Sequence, residues 1–258
     1  MNFSVHERAG MSKRVALVTG GMGGIGTAVC RRLARMNDNV VMANCLPGYE
    51  KKDEWLAQLR AEGYDNVFAA EGDVADFDSA AAMVRRIESE IGPVDILVNS
   101  AGIVRDNVLK KMSLSDWLAV ISTNLNSAFI VTKQVIEGMT ERGWGRIVNL
   151  SSVNGQRGQF GQTNYSAAKA GLHGFAKALA QEVVRKGVTV NSVSPGYVET
   201  DMVKSIRKDV LDKIVAGIPM GRLARPEEIA ALIAFLASEE AGYITGANIA
   251  INGGMYMS

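Results

Sequence analysis

A single α/β domain built on a parallel sheet is the fold class this sequence predicts, from three observations. Seven short apolar runs are spread along 258 residues, longer amphipathic segments separate them, and a glycine-rich turn directly follows the first run. Short runs buried on both faces, with gaps long enough for a helical crossover, describe parallel strands rather than hairpins. Composition agrees, since 47% hydrophobic and 21% charged residues suit one globular domain with a sizeable core.

The expected strands run from Val15 to Val18, Val40 to Ala43, Val67 to Ala70, Ile96 to Val98, Ile147 to Leu150, Val188 to Val193 and Ile249 to Ile251. Between the first two, Ile25, Val29 and Leu33 recur every four residues with Ala28 beside them, the stripe of a helix packed on a sheet. Lys186-Gly187 predicts a helix end, with a cation in the last turn and a glycine able to take positive φ. Pro226-Glu227-Glu228 predicts a helix start, with carboxylates near the positive end of the dipole. The alternation implies a single-domain doubly wound Rossmann fold, a seven-stranded parallel sheet with helices on both faces and ligands at the carboxyl ends of the strands. Residues 14–258 read as that domain; residues 1–13 read as a flexible N-terminal tail, with Met11 an alternative start to Met1.

The 28 basic and 27 acidic residues leave a net charge of +1, which gives no overall field toward nucleic acid or an anionic membrane. A small molecule is the expected partner. Cys30 and Cys45 have neither disulfide nor metal-ligand spacing, so no metal is expected and a reducing cytoplasm is the expected compartment. No segment approaches the ~18 apolar residues of a membrane span.

After the first strand comes Thr19-Gly20-Gly21-Met22-Gly23-Gly24-Ile25-Gly26, leading straight into the first helix. Glycines there permit a tight turn and close backbone approach, so a pyrophosphate can rest on the helix N-terminus. Gly20, Gly24 and Gly26 form G-x-x-x-G-x-G, a spacing distinct from the G-x-G-x-x-G of larger dehydrogenases. It resembles the short-chain dehydrogenase/reductase family, whose loop reads T-G-x-x-x-G-x-G.

An NAD-binding unit usually ends its second strand on a carboxylate that bonds the ribose, about 20 residues beyond the loop. Here the strand ends on neutral Asn44-Cys45, so the expected cofactor is NADPH/NADP+. Lys51 and Lys52 either reach its 2′-phosphate or begin a solvated helix, with Glu50 and Asp53 diluting their field. Met22-Gly23 stands where many NADP-preferring relatives carry arginine or lysine. The resemblance further assigns Asp73 and Val74 to the adenine. It aligns Asn99, Ala101 and Gly102 with an N-N-A-G segment, Ser100 replacing its second asparagine.

Tyr165-Ser166-Ala167-Ala168-Lys169 matches the family's Y-x-x-x-K, and its i, i+4 spacing puts phenol and ammonium on one helical face. A nearby cation favours the phenolate by about 1.4 kcal/mol per unit of pKa, so lysine can tune a phenol of pKa ~10 into a useful acid or base. The resemblance implies that Ser152 bonds the substrate oxygen, while adjacent Ser151 reads as a loop-capping hydroxyl. Asn124 would hold a relay water, or else mark a bent helix. Pro195, Gly196, Val198 and Thr200, in a P-G-x-V-x-T segment, would surround the nicotinamide. His173 reads as structural rather than as a base.

Ser151 to Gln156, Gly158 to Tyr165 and Ala170 to Phe175 resemble one branch of the family. That branch reduces acetoacetyl-CoA to (R)-3-hydroxybutyryl-CoA with NADPH for polyhydroxybutyrate synthesis. On that resemblance Gln159, Phe160, Gln162 and Tyr197 join Ser152 and Tyr165 around an acyl-CoA substrate; a solvated turn is the alternative for the glutamine-rich loop. Met202-Val203-Lys204, Ile206-Arg207-Lys208 and Val210-Leu211 read as an amphipathic lid or a solvated helix face. The branch acting on 3-oxoacyl groups of an acyl carrier protein is the nearest alternative. A non-catalytic dinucleotide sensor is the alternative of another class. The family implies a homotetramer, formed through the helices around Ser115 to Met139 and Tyr165 to Lys186 and through the C-terminal segment.

Overall fold

The computed structural model describes residues 13–36, 39–200, 203 and 207–257. The expected tail, but for Lys13, and Met202, Lys204 and Ile206 of the expected lid lie outside the described residues. Seven strands form one sheet: β1 (Val15–Thr19), β2 (Val40–Cys45), β3 (Val67–Glu71), β4 (Val94–Asn99), β5 (Gly145–Leu150), β6 (Val188–Pro195) and β7 (Asn248–Ile251). Their order is β3-β2-β1-β4-β5-β6-β7, and every neighbouring pair is parallel. Each expected run is a strand. Most extend past the apolar stretch because Thr19, Asn44 and Asn99 keep the ladder going at the carboxyl ends, where they are buried and hydrogen-bonded.

Helices cover both faces. α1 (Gly24–Ala34), α2 (Lys52–Ala61) and the late α9 (Pro226–Leu236) send Ala28, Val29, Leu33, Leu59, Ile229 and Ile233 into one core. On the other face α3 (Phe77–Glu90), α5 (Ser127–Glu141) and α7 (Thr163–Val183) bury Met83, Ile87, Val131, Val135, Ala176 and Ala180 against Leu17, Leu97 and Ile147. Full burial of each large side chain contributes about 1.5–3 kcal/mol, so the two cores are the main force holding seven strands in line. The shorter helices include α4 (Leu114–Ile121), α6 (Val153–Arg157) and α8 (Lys208–Ala216). None among the described residues is long and apolar enough to cross a membrane.

The expected punctuation is present, with two refinements. α7 passes through a 3-10 turn at Val184–Lys186 before Gly187, at φ 73°, ends it. α9 starts at Pro226, and Glu228 Oε2 accepts the Arg225 N–H at 2.8 Å. The segment from Ser115 to Met139 is not one regular helix: a π-helical turn, Ser122–Asn126, joins α4 to α5. Such one-turn widenings insert an extra residue and concentrate at functional positions.

The order of strand addition reverses between β1 and β4, since β2 and β3 extend the sheet one way and β4 to β7 the other. The crevice above those two strand ends is where this topology leaves room for a ligand.

Leu17 is fully buried in β1 beneath that crevice. Leu17→Ala is expected to cost about 2–5 kcal/mol, read from denaturant unfolding at fixed protein concentration. A loss well under 1 kcal/mol would contradict this account of the core.

Candidate active site

The glycine loop is shaped by steric necessity at three points. Gly20 has φ 61°, and a Cβ there would lie 2.9 Å from Ala101 Cα. At Gly26 a Cβ would lie 2.2 Å from Gly20 O, and at Gly24 2.8 Å from Thr200 Cγ2. The loop is therefore pressed between the ends of β1 and β4 below and the segment after β6 above. Any side chain would fill that space.

Polar side chains hold the loop. Thr19 Oγ1 accepts the N–H groups of Ser100 and Ala101 at 3.0 and 3.1 Å, tying the β1 end to the β4 end. Asn44 does the same on the other side: Oδ1 accepts the Gly20 N–H at 3.2 Å, while Nδ2 donates to Ala70 O at 3.2 Å and Gly72 O at 2.9 Å. The neutral residue at the β2 end is thus a buried staple across three strand ends. Its sequence signal was only the absence of a carboxylate.

Above these strand ends lies a cleft of about 590 Å³. Among expected residues, Gly20, Met22, Gly24, Ile25 and Gly26 line one part, while Gly102, Tyr165, Lys169, Pro195 and Thr200 line the remainder. Leu46, Tyr49, Ile103 and Val104 also line it, and sequence reasoning missed all four because no local pattern marks them. Gly21 packs beneath, its N–H on Asn44 O at 3.0 Å. Asn99 is buried below the cleft, donating to Asn149 Oδ1 at 2.8 Å. Gly196 hydrogen-bonds Ile251 O, and the Val198 carbonyl accepts the Thr200 N–H at 2.8 Å, so both shape the segment that carries Thr200.

At the far end of the cleft sits the polar constellation. Lys169 is buried, and its Nζ donates to Leu150 O at 2.6 Å. Burial alone drives its amine from 10.5 down to about 8. Nζ lies 5.7 Å from the centroid of the Tyr165 ring. Tyr165 hydrogen-bonds Ser152, which lowers its pKa, but burial and the charge of Asp106 push the phenol up overall. The expected depression by Lys169 is therefore not the ruling effect. Desolvation opposes both charges, and the ammonium is directed at Leu150 O.

Ser152 is the N-cap of α6, accepting the Asn154 N–H at 3.1 Å, so the capping role expected of Ser151 belongs to Ser152. Ser151 instead donates to Lys169 O at 2.7 Å. The Asn154 N–H and the bond to Tyr165 together hold the Ser152 hydroxyl beside the phenol. Asn124 lies in the π-helical turn, its Oδ1 accepting the Ile103 N–H at 2.8 Å and Nδ2 donating to Ile103 O at 2.9 Å. A Cβ on Gly102 would lie 3.4 Å from Asn124 Oδ1 and 3.6 Å from Lys169 Nζ, so the amide and the ammonium face the same glycine.

Other expected residues stand apart. Lys51 is exposed, whereas Lys52 pairs with Glu71 at 2.5 Å and borders a separate depression beside Leu56, Phe68 and Arg86. Asp73 accepts the Ala75 N–H and Val74 is buried, outside the cleft lining. Phe160 is 87% exposed. Tyr197 borders a separate small cavity of about 140 Å³ with Ile218 and Met220. Gln162 is held from both sides, accepting from Asn154 Nδ2 at 2.9 Å and donating to both Asp106 carboxylate oxygens at 3.0 and 3.1 Å. Gln159 is half-buried beside it. Asp106, Asn154 and Asn164, which accepts the Tyr165 N–H at 2.7 Å, escaped sequence reasoning because their partners are distant in the chain or depend on loop shape.

The family profile described as short chain dehydrogenase matches residues 14–211. The chain is 63% identical to the acetoacetyl-CoA reductase of Cupriavidus necator over 247 residues, 96% of this chain and 100% of that protein. It is 58% identical to nodulation protein G of Azospirillum brasilense over 245 residues, 95% and 99% of the two chains. With the 3-oxoacyl-[acyl-carrier-protein] reductase of Pseudomonas aeruginosa it shares 46% identity over 246 residues, 95% and 98% of the two chains.

The buried amine carries a pH signature. The unfolded chain keeps the Lys169 proton up to about 10.5, the folded chain only up to about 8, so the unfolded state binds more protons between those values. Its contribution to stability therefore rises with pH across that window. The difference in unfolding free energy between wild type and Lys169→Met should shift in favour of wild type from below pH ~8 to near pH ~10. A difference that is flat with pH would contradict the burial of a titrating amine.

Proposed function

The chain belongs to the short chain dehydrogenase family, and on that premise we propose that it reduces acetoacetyl-CoA to (R)-3-hydroxybutyryl-CoA with NADPH. The observation that carries ketone reduction is that Tyr165 and Lys169 line one end of a cleft whose other end is the glycine loop, with Ser152 hydrogen-bonded to Tyr165. The choice of thioester rests on the reductases of 63% and 61% identity, whose names give acetoacetyl-CoA as the substrate.

The residues fit a dinucleotide. Gly20, Gly24 and Gly26 keep clear a cradle that a Cβ would fill, with Thr200 closing over it. The uncharged Asn44 presents no carboxylate against a 2′-phosphate, and exposed Lys51 is available to it, whereas Lys52 is engaged by Glu71. Pro195, Gly196, Val198 and Thr200 frame the nicotinamide end, and Asp73 and Val74 support the adenine end. When bound, the cofactor supplies the hydride that reduces the ketone carbon.

The chain's own residues supply position and the proton. Ser152 turns its hydroxyl hydrogen from the Tyr165 oxygen to the carbonyl oxygen of the ketone. Tyr165 gives its phenolic proton to that oxygen as negative charge develops there. Burial keeps the phenol protonated, the form that reduction requires. Lys169, held by Leu150 O, stabilises the resulting phenolate and returns a proton to it. Asn124, anchored to Ile103 through its side-chain amide, holds the water that resupplies Lys169. Gln159, Gln162, Phe160 and Tyr197 serve the acyl-CoA, with exposed Phe160 packing on the bound chain. The protein works as a cytoplasmic homotetramer.

Comparing kcat/KM for acetoacetyl-CoA and for an acetoacetyl carrier protein, with NADPH and then NADH, tests the reading directly. CoA with NADPH should be the better pair; a strong preference for the carrier protein would assign the chain to the carrier-dependent reductases instead. Turnover of neither would favour a sensor. Tyr165→Phe should lower kcat by about 10²- to 10⁴-fold while NADPH binding, followed by fluorescence, stays nearly intact. Undiminished turnover in that variant would refute the proton-transfer role.

A further inference from the structure

His173 lies one turn beyond Lys169 on α7 and belongs to none of the roles above. Its Nε2 lies 2.8 Å from Ser151 Oγ and 3.3 Å from Ser194 Oγ. Each hydroxyl has one hydrogen, and both are spent elsewhere: Ser151 donates to Lys169 O at 2.7 Å, and Ser194 donates to Asn248 Oδ1 at 2.7 Å. The two oxygens can therefore only accept from the ring. His173 carries its proton on Nε2 and shares it between the ends of β5 and β6.

We propose that His173 is a positioning residue for ketone reduction, locking Ser151 against the Lys169 carbonyl and so fixing the β5 end that bears Ser152 relative to the helical turn that bears Tyr165 and Lys169. The inference rests on the ketone-reductase reading above. Three elements meet at one nitrogen. β5 contributes Ser151, whose N–H also pairs with Val193 O at 2.7 Å, β6 contributes Ser194, and α7 contributes the ring and the carbonyl. Ser192 adds a second stitch from β6 to α7 by donating to Leu172 O at 3.3 Å. Burial and the neighbouring Lys177 hold the imidazole neutral, so it brings no second cation beside the Lys169 ammonium.

Removing the ring donor leaves both hydroxyls with their own acceptors, so the fold loses little while the Ser151-Ser152 turn gains freedom to shift. Small misplacements of reacting groups are costly to rate. His173→Leu should lower kcat about tenfold, with KM for NADPH changed less than about twofold and Tm nearly unchanged. His173→Gln, which keeps an N–H donor at a similar reach, should restore kcat to within about threefold of wild type. Ser151→Ala combined with His173→Leu should be non-additive in kcat. NMR should find the Nε2–H tautomer in the wild type.

A His173→Leu enzyme with wild-type kcat overturns the proposal, as does a kcat loss that tracks Tm and that glutamine does not restore. An Nδ1–H tautomer does so too. These results are separable from failure of the functional reading, which shows as a wild type inactive on 3-oxoacyl thioesters with either carrier.

Discussion

A charged amine placed among apolar groups must be given partners or lose its proton, and the burial of Lys169 is the constraint on which the rest of this site depends. The bond to Leu150 O is available only because β5 ends there and α7 passes directly across it. That crossing is close. A Cβ on Gly155 would lie 2.8 Å from the Lys169 carbonyl carbon, and Gly102 faces Nζ at ordinary contact distance, where a Cβ would lie 3.6 Å away. The two glycines, the strand end and the Ser151 hydroxyl therefore exist around the amine as one arrangement. Its lowered basicity lets the same group hold a proton near neutrality and release it without leaving its place.

The parallel sheet makes such a meeting possible. All seven strands end on the same side, so residues from Thr19, Asn44, Asn99, Leu150 and Pro195 converge although they are scattered over 176 positions of the chain (195 − 19). Polar groups at these ends do not disturb the apolar cores beneath. Thr19 and Asn44 find backbone partners in the neighbouring loops and position them, while Asn99 pairs with the Asn149 side chain on the next strand.

What the sequence discloses depends on how local the cause is. Strand runs, the helix stripe at Ile25, Val29 and Leu33, and the end at Gly187 are set by neighbours within a few residues, and they were legible. Tyr165 and Lys169 were legible because helical spacing alone puts them on one face. Asn44, Asp106 and Asn154 were not, since each is defined by a loop that arrives from elsewhere. The same reason separates Ser151 from Ser152: adjacent identical residues acquire opposite duties from which way each hydroxyl faces. Lys52 shows the converse, a plausible spacing redirected by a carboxylate at the end of another strand.

The contact between Gly24 and Thr200 joins positions 176 apart, and it has a consequence during synthesis. β1 to β4 lie side by side in the sheet, so the emerging chain can assemble the floor of the cleft once residue 99 has appeared. Thr200 cannot arrive until β6 has docked on β5. The floor thus precedes the roof, and a nascent chain presents an unfinished cleft for much of its translation, in keeping with the way long-range contacts wait on the chain that supplies them.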